Sequence, residues 1–114
     1  MNIQASVVFI SHRLKADFQA LKAGKSEEQT LYEKISVVME SMKSEPFSGT
    51  KIQKSRWPKF YKKRHKITNL WKYDLPDGWR LIYTIEKSEE RLLCIIIEWF
   101  SHPEYNRRFG YHDS

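Results

Sequence analysis

The chain has 114 residues, with 20 Lys and Arg against 14 Asp and Glu, for a formal net charge of +6. Hydrophobic residues make up 40% and aromatic residues 14%, too much for a disordered regulator and enough for one core, so a single domain over 1–114 is expected. The longest apolar run, Leu92 to Ile97, is far too short to cross a bilayer, and a lone cysteine, Cys94, excludes an intrachain disulfide. With no basic flank before "SVVFI", no signal peptide is expected, and the reading is a reduced, cytoplasmic protein with no membrane contact.

In chain order, Ala5 to Ile10 reads as a short apolar strand. Ser11 is placed to cap a helix with Leu14, Phe18 and Leu21 on one face and Gly24 as its stop. A second helix opens at Ser26, with Gln29 three residues on and Glu27 and Glu28 in the first turn, the pattern of a capping box. Its stripe is Leu31, Ile35, Val38 and Met42, and Pro46 closes it. The short link predicts an antiparallel αα-hairpin. Pro46 to Lys66 has no clean period, and "KFYKKRHK" fits either a short helix or an extended loop. Asn69 to Leu75 and Trp79 to Glu86 flank "LPDGW", a turn in which Pro presets φ and Gly accepts the exit geometry. "LLCIIIEWF" is apolar on both faces, as in a strand covered on both sides. Ser101 with Glu104 forms another capping-box pattern, opening a helix over about Pro103 to Phe109 that stops at Gly110. The expected fold is α+β: a short N-terminal strand, an αα-hairpin, then an antiparallel meander sheet and a short C-terminal helix.

Charge is concentrated. Residues 1–45 hold 6 basic and 6 acidic side chains, and residues 74–114 hold 5 and 8. Between them, Pro46 to Tyr73 carries 9 Lys and Arg and no acid. A solvated face, a contact for an acidic protein, and an RNA-binding surface are all compatible with this run. The interleaved aromatics of "SRWPKFYKKRHK" suit backbone phosphates with stackable bases. Lys54, Arg56, Lys59, Lys62, Lys63, Arg64 and Lys66 are then the candidate RNA contacts, joined by Arg107 and Arg108 near the C-terminus. There is no Gly-rich phosphate loop, no nucleophile elbow and no metal-ligand spacing among His12, His65, His102, His112 and Cys94, so no cofactor and no metal are expected. Arg, Lys, Tyr and His remain, an inventory suited to metal-free cleavage of an RNA strand.

"LWKYDLPDGWRLIYTI", followed by an apolar strand and a His- and Tyr-bearing end, resembles the RelE/ParE toxin superfamily over nearly the whole chain. "GWRLIYTI" is similar to the strand of RelE- and YoeB-type mRNA interferases whose arginine, at the Arg80 position, contacts the scissile phosphate; "SHPEY" resembles the His-x-x-Tyr segment of HigB-like branches. The resemblance implies a RelE-like fold and the toxin of a type II toxin-antitoxin system. It implies cleavage of ribosome-bound mRNA by attack of the 2′-OH on the adjacent phosphate, and a cognate antitoxin as partner. Arg80, Lys72, His102 and Tyr105 are the implied catalytic group, and Tyr111 and His112 are further candidates. Each also has a structural alternative: Arg80 as an ion pair with Asp74 or Glu98, Lys72 as an exposed strand lysine, Tyr105 as packing. The strand before the turn differs from that of RelE-type enzymes, which carry additional basic residues there, in supplying only Lys72, beside Asp74. The ParE branch shares the fold and resembles gyrase poisons, which leaves a non-catalytic toxin or a binding module as the alternative.

Overall fold

The computed structural model describes residues 4–64 and 66–110. The chain runs β1 (Ala5–Phe9), α1 (His12–Leu21), α2 (Ser26–Ser44), β2 (Thr50–Lys51), α3 (Lys59–Arg64), β3 (Trp71–Asp74), β4 (Arg80–Ser88), β5 (Arg91–Phe100) and α4 (His102–Phe109), with short 3-10 turns at Lys54–Arg56 and Pro76–Gly78. The α+β class, the N-terminal strand, the helical hairpin and the last three strands follow the sequence reading; the edge strand β2 is not part of it. The strands form one sheet in the order β1-β5-β4-β3-β2. β3, β4 and β5 make the antiparallel meander, while β1 joins β5 in parallel and β2 adds a short edge beside β3.

One face of the sheet is covered by the αα-hairpin. Leu31, Ile35, Val38 and Met42 of α2, with Phe18 of α1, pack on Leu81, Tyr83, Ile85, Cys94 and Ile96. α1 begins as predicted, with the Leu14 N–H donating to Ser11 Oγ at 3.0 Å. It ends at Leu21 rather than at Gly24, because tightened bonds from Ala23 to Ala20 and Gly24 to Leu21 close the last turn early. α2 is capped one residue before the expected Ser26: Glu28 accepts from the backbone N–H of Lys25 at 3.3 Å, and Gln29 donates to the carbonyl of Gly24 at 2.9 Å. The Ser26–Gln29 capping box read from the sequence is therefore not formed; Lys25 and Glu28 take its place, and lysine has no side-chain acceptor to return the bond.

The other face is covered by the basic segment and α4. Ile52, Trp57, Tyr61 and Leu70 are buried with Ile82, Ile97, Phe100, Tyr105 and Phe109 in a second cluster. The aromatic run of the basic segment is therefore largely core. Trp57 is 6% exposed and Tyr61 0%, so neither is available to stack on a base, because each rests on the apolar face of β4 and β5; Phe60 alone of the three stays exposed. The segment is helical over α3, which decides between the two readings of "KFYKKRHK".

A bulge sets which side chains of β5 face which cluster. Ile82 pairs with Glu98 and the next residue, Tyr83, pairs with Ile96, leaving Ile97 as the extra residue. The alternation flips there. Ile97 and Glu98 both turn toward the α3–α4 face, and Trp99 returns to the hairpin side. Without the extra residue, strict alternation would send the Glu98 carboxylate into the core under α2. β3 is shorter than expected, starting at Trp71, because the Asn69 side chain replaces the ladder: its Oδ1 accepts from Ile85 N and its Nδ2 donates to Ile85 O, both at 2.8 Å.

Candidate functional site

Period-two geometry puts Lys72, Asp74 and Arg80 on the α4 side of the sheet, Asp74 being the cross-strand partner of Arg80. The Pro76–Gly78 turn then brings the start of α4 close. Gly78 has φ +80, and a Cβ there would lie 3.1 Å from the Cβ of His102. α4 starts at His102 with Ser101 as N-cap, and Tyr105 N donates to Ser101 O at 2.9 Å. The expected side-chain capping box is not formed. Glu104 turns the other way, to Arg107 and to Arg108 Nε at 3.0 Å, which removes it from the N-terminal backbone. Its acidity is held below the ordinary carboxylate range by the hydrogen bond from Arg108 above all. Gly110, with φ +71, ends the helix as predicted.

All three guanidinium nitrogens of Arg80 face acceptors. Nε lies 2.9 Å from Asp74 Oδ1, Nη1 donates to the Trp79 carbonyl at 3.2 Å, and Nη2 lies 3.1 Å from His102 Nδ1. The Nε contact is one of charge: this buried N–H is not aligned for a hydrogen bond. Lys72 Nζ meets the same carboxylate at 3.1 Å. Beneath the two cations lies the ring of Tyr105, whose centroid is 5.6 Å from Lys72 Nζ and 5.7 Å from Arg80 Cζ. Tyr105 is 4% exposed and stacked on Phe109, so it presents a π-face to the cations while its hydroxyl is buried.

The proton on His102 follows from its neighbours. A guanidinium only donates, so Nδ1 accepts and the neutral ring carries its hydrogen on Nε2. Nε2 lies 3.2 Å from the Asn106 amide, one helical turn on, and that amide must present its oxygen there, a half-turn of the side chain. His102 is exposed, so substrate can approach it.

Beside this group, Thr50, Lys51, Ile52, Gln53, Arg56, Lys72 and Tyr105 line a cleft of about 230 Å³. A larger cleft of about 530 Å³, lined in part by Ile10, Phe60, Lys66, Ile67 and Ile95, lies toward β1 and includes none of Lys72, Arg80, His102 or Tyr105. The smaller cleft is the one that includes Lys72 and Tyr105; the larger mixes apolar residues with Lys66, Glu86 and Glu98.

The four implied catalytic residues thus meet at one place: Lys72 from β3, Arg80 from β4, His102 and Tyr105 from α4. Of the candidate RNA contacts, Lys54, Arg56, Lys59, Lys62, Lys63 and Lys66 are exposed, and the Arg64 side chain lies outside the described residues, as do Tyr111 and His112. Arg108 bridges Glu98 at 3.2 Å and Glu104, and Arg107 pairs with Glu104. Glu98 also accepts from the Tyr61 hydroxyl, and burial, then that carboxylate, pushes the Tyr61 phenol far above its ordinary range. Sequence reading passed over Lys51 and Asn106, and took Gly78 as a turn residue without its approach to His102. The i, i+4 spacing from His102 would have found Asn106; Lys51 and Gly78 needed the fold. Among the described residues, no group of three His, Cys, Asp or Glu is placed to hold a metal ion, and no helix is long and apolar enough to cross a membrane. No family model, curated protein or solved structure compared with the chain matches it.

Proposed function

We propose that the chain is a RelE-like toxin that cleaves mRNA on the ribosome, without a metal, and that a cognate antitoxin restrains it. The observation that carries this reading is the convergence of Arg80, Lys72 and His102 over Tyr105, at the mouth of a cleft flanked by Lys51 and Arg56. Arg80 and Lys72 hold the scissile phosphate and its developing charge. When Nη2 of Arg80 redirects its hydrogen bond from His102 to the phosphate, the Nδ1 lone pair of His102 is uncovered and takes the 2′-OH proton; the 2′ oxygen bonds to phosphorus and the 5′ oxygen leaves with a proton from solvent. Exposed Lys54, Arg56, Lys59, Lys62, Lys63 and Lys66 anchor the domain to RNA, with Arg107 and Arg108 as outlying contacts.

Arg80→Ala and His102→Ala, assayed for mRNA cleavage in a translating extract, should each lose roughly 10²–10⁴-fold in rate. Undiminished cleavage by both, with melting curves like that of the parent, would end the catalytic assignment. The second reading is a non-catalytic ParE-like or RNA- or protein-binding module on the same fold, and the observation favouring it is Asp74, which already occupies both cations. It requires intact mRNA under all conditions, and for the ParE-like form inhibition of purified gyrase.

A further inference from the structure

Lys72 and Arg80 converge on one acceptor, the Asp74 carboxylate, at 3.1 and 2.9 Å. Two cations with one anion between them is the arrangement a bound phosphate would make. Here the anion belongs to the chain. It arrives by register alone, since Asp74 is two residues from Lys72 on β3 and directly opposite Arg80.

We infer that Asp74 is an internal competitor for the phosphodiester, so that an anion enters this site only by exchange with the Asp74 carboxylate. Three features support exchange over permanent pairing. Asp74 is the most exposed of the three, its side chain 55% accessible against 22% for Lys72 and 15% for Arg80, so it can swing into water while the cations stay. The buried Nε–H of Arg80 lies beside the carboxylate without an aligned hydrogen bond, a donor that an incoming oxygen can satisfy. And the Tyr105 ring backs both cations whether or not Asp74 is present, which keeps them in place once it leaves. Asp74 therefore sets the affinity of the site for anions and favours ligands that recover the lost pairing elsewhere. A phosphate embedded in a strand does so, since its neighbouring phosphates reach Lys51 and Arg56 in the adjoining cleft. The inference rests on the proposed role of Arg80 and Lys72 as phosphate contacts and fails separately from the cleavage reaction, because its readout is binding.

The test is Asp74→Asn, titrated with inorganic phosphate and with a short RNA whose 2′ positions are O-methylated so that it cannot be cut. Affinity for both should rise about 3- to 10-fold, the size expected when a partly exposed ion pair no longer competes. The gain should vanish in an Arg80→Gln background. Asp77→Asn, the same charge change on an exposed carboxylate of the neighbouring turn that pairs with Lys34, should shift affinity less than twofold. Unchanged or weaker binding by a folded Asp74→Asn protein would overturn the exchange. So would a gain that survives Arg80→Gln or is matched by Asp77→Asn, since either result is a general charge effect. The predicted gain in binding, together with intact mRNA when the parent protein is added to a translating extract, would sink the endonuclease and leave the competitor in place.

Discussion

Single side chains in this protein differ sharply in what burial does to them. Cys94 is 0% exposed, and burial pushes its thiol from an ordinary 9.0 up to about 11. Tyr83, equally enclosed, donates to the Pro46 carbonyl and accepts from Gly49 N, and burial pushes its phenol up to about 12. Both groups stay neutral in the folded chain at a pH where the unfolded chain has ionised them. Their contribution is thus complete below pH 9 and is lost as pH rises through 9 to 12. The melting temperature should fall steadily above pH 9, and Cys94→Ala should lower it at pH 8 yet make that fall shallower. Iodoacetamide at pH 8 should leave native Cys94 unmodified and label it in urea; labelling of the native protein at the rate of a free thiol would contradict a raised, buried thiol. His102 is the contrasting residue, exposed and fixed by Arg80 and Asn106 rather than by packing. Its two partners could not be read from sequence as a pair. Asn106 follows from helical spacing, whereas Arg80 arrives through a turn and a strand 22 residues earlier.

At the scale of elements, the decisive contact is the tip of the β3–β4 turn against the first turn of α4. Two glycines of matched geometry isolate it. Gly78 and Gly110 both have positive φ, +80 and +71; a Cβ at Gly78 meets His102 at 3.1 Å, and one at Gly110 meets nothing within 4 Å. Alanine at either should cost on the order of 1–2 kcal/mol in backbone strain. Only Gly78→Ala should also lose mRNA cleavage beyond that shared penalty, since only it moves His102. Equal activity in the two variants, measured where both are folded, would remove the turn from the site. Elements that announce themselves locally were legible in advance: the Ser11 cap, the α2 stripe, the Pro-Asp-Gly turn and the Gly110 stop are each fixed by neighbours in sequence. The basic segment was not, because its alternation is neither 2 nor 3.6. Ile52, Trp57, Tyr61 and Leu70 are buried for reasons that lie on β4, β5 and α4. The Ile97 bulge, which decides where Glu98 points, left no mark in "LLCIIIEWF", where apolar residues suit either parity.

Across the whole molecule, apolar burial and charge are divided along one segment. Residues 46–73 place Ile52, Trp57, Tyr61 and Leu70 in the core and leave Lys51, Lys54, Arg56, Lys59, Lys62, Lys63 and Lys66 in water. The packing of this segment rests on its buried anchors, so its exposed lysines can be removed without unfolding what they ride on. Lys59, Lys62 and Lys63 of α3 are the cleanest set, being exposed and remote from the Arg80–His102 group in the chain. Replacing all three by Gln should change stability by no more than about 0.5 kcal/mol per site. RNA affinity should fall, and the slope of log K against log salt should flatten by up to about 2, from roughly 0.7 for each single-strand phosphate no longer neutralised. An acidic protein partner would predict a different pattern, with the same variant binding RNA at the parental slope. Because Arg80 and His102 are untouched, cleavage at saturating RNA should persist. A variant that binds normally but no longer cuts would move α3 from the anchoring surface into the catalytic site, and a variant that unfolds would show that these lysines stabilise the domain rather than decorate it.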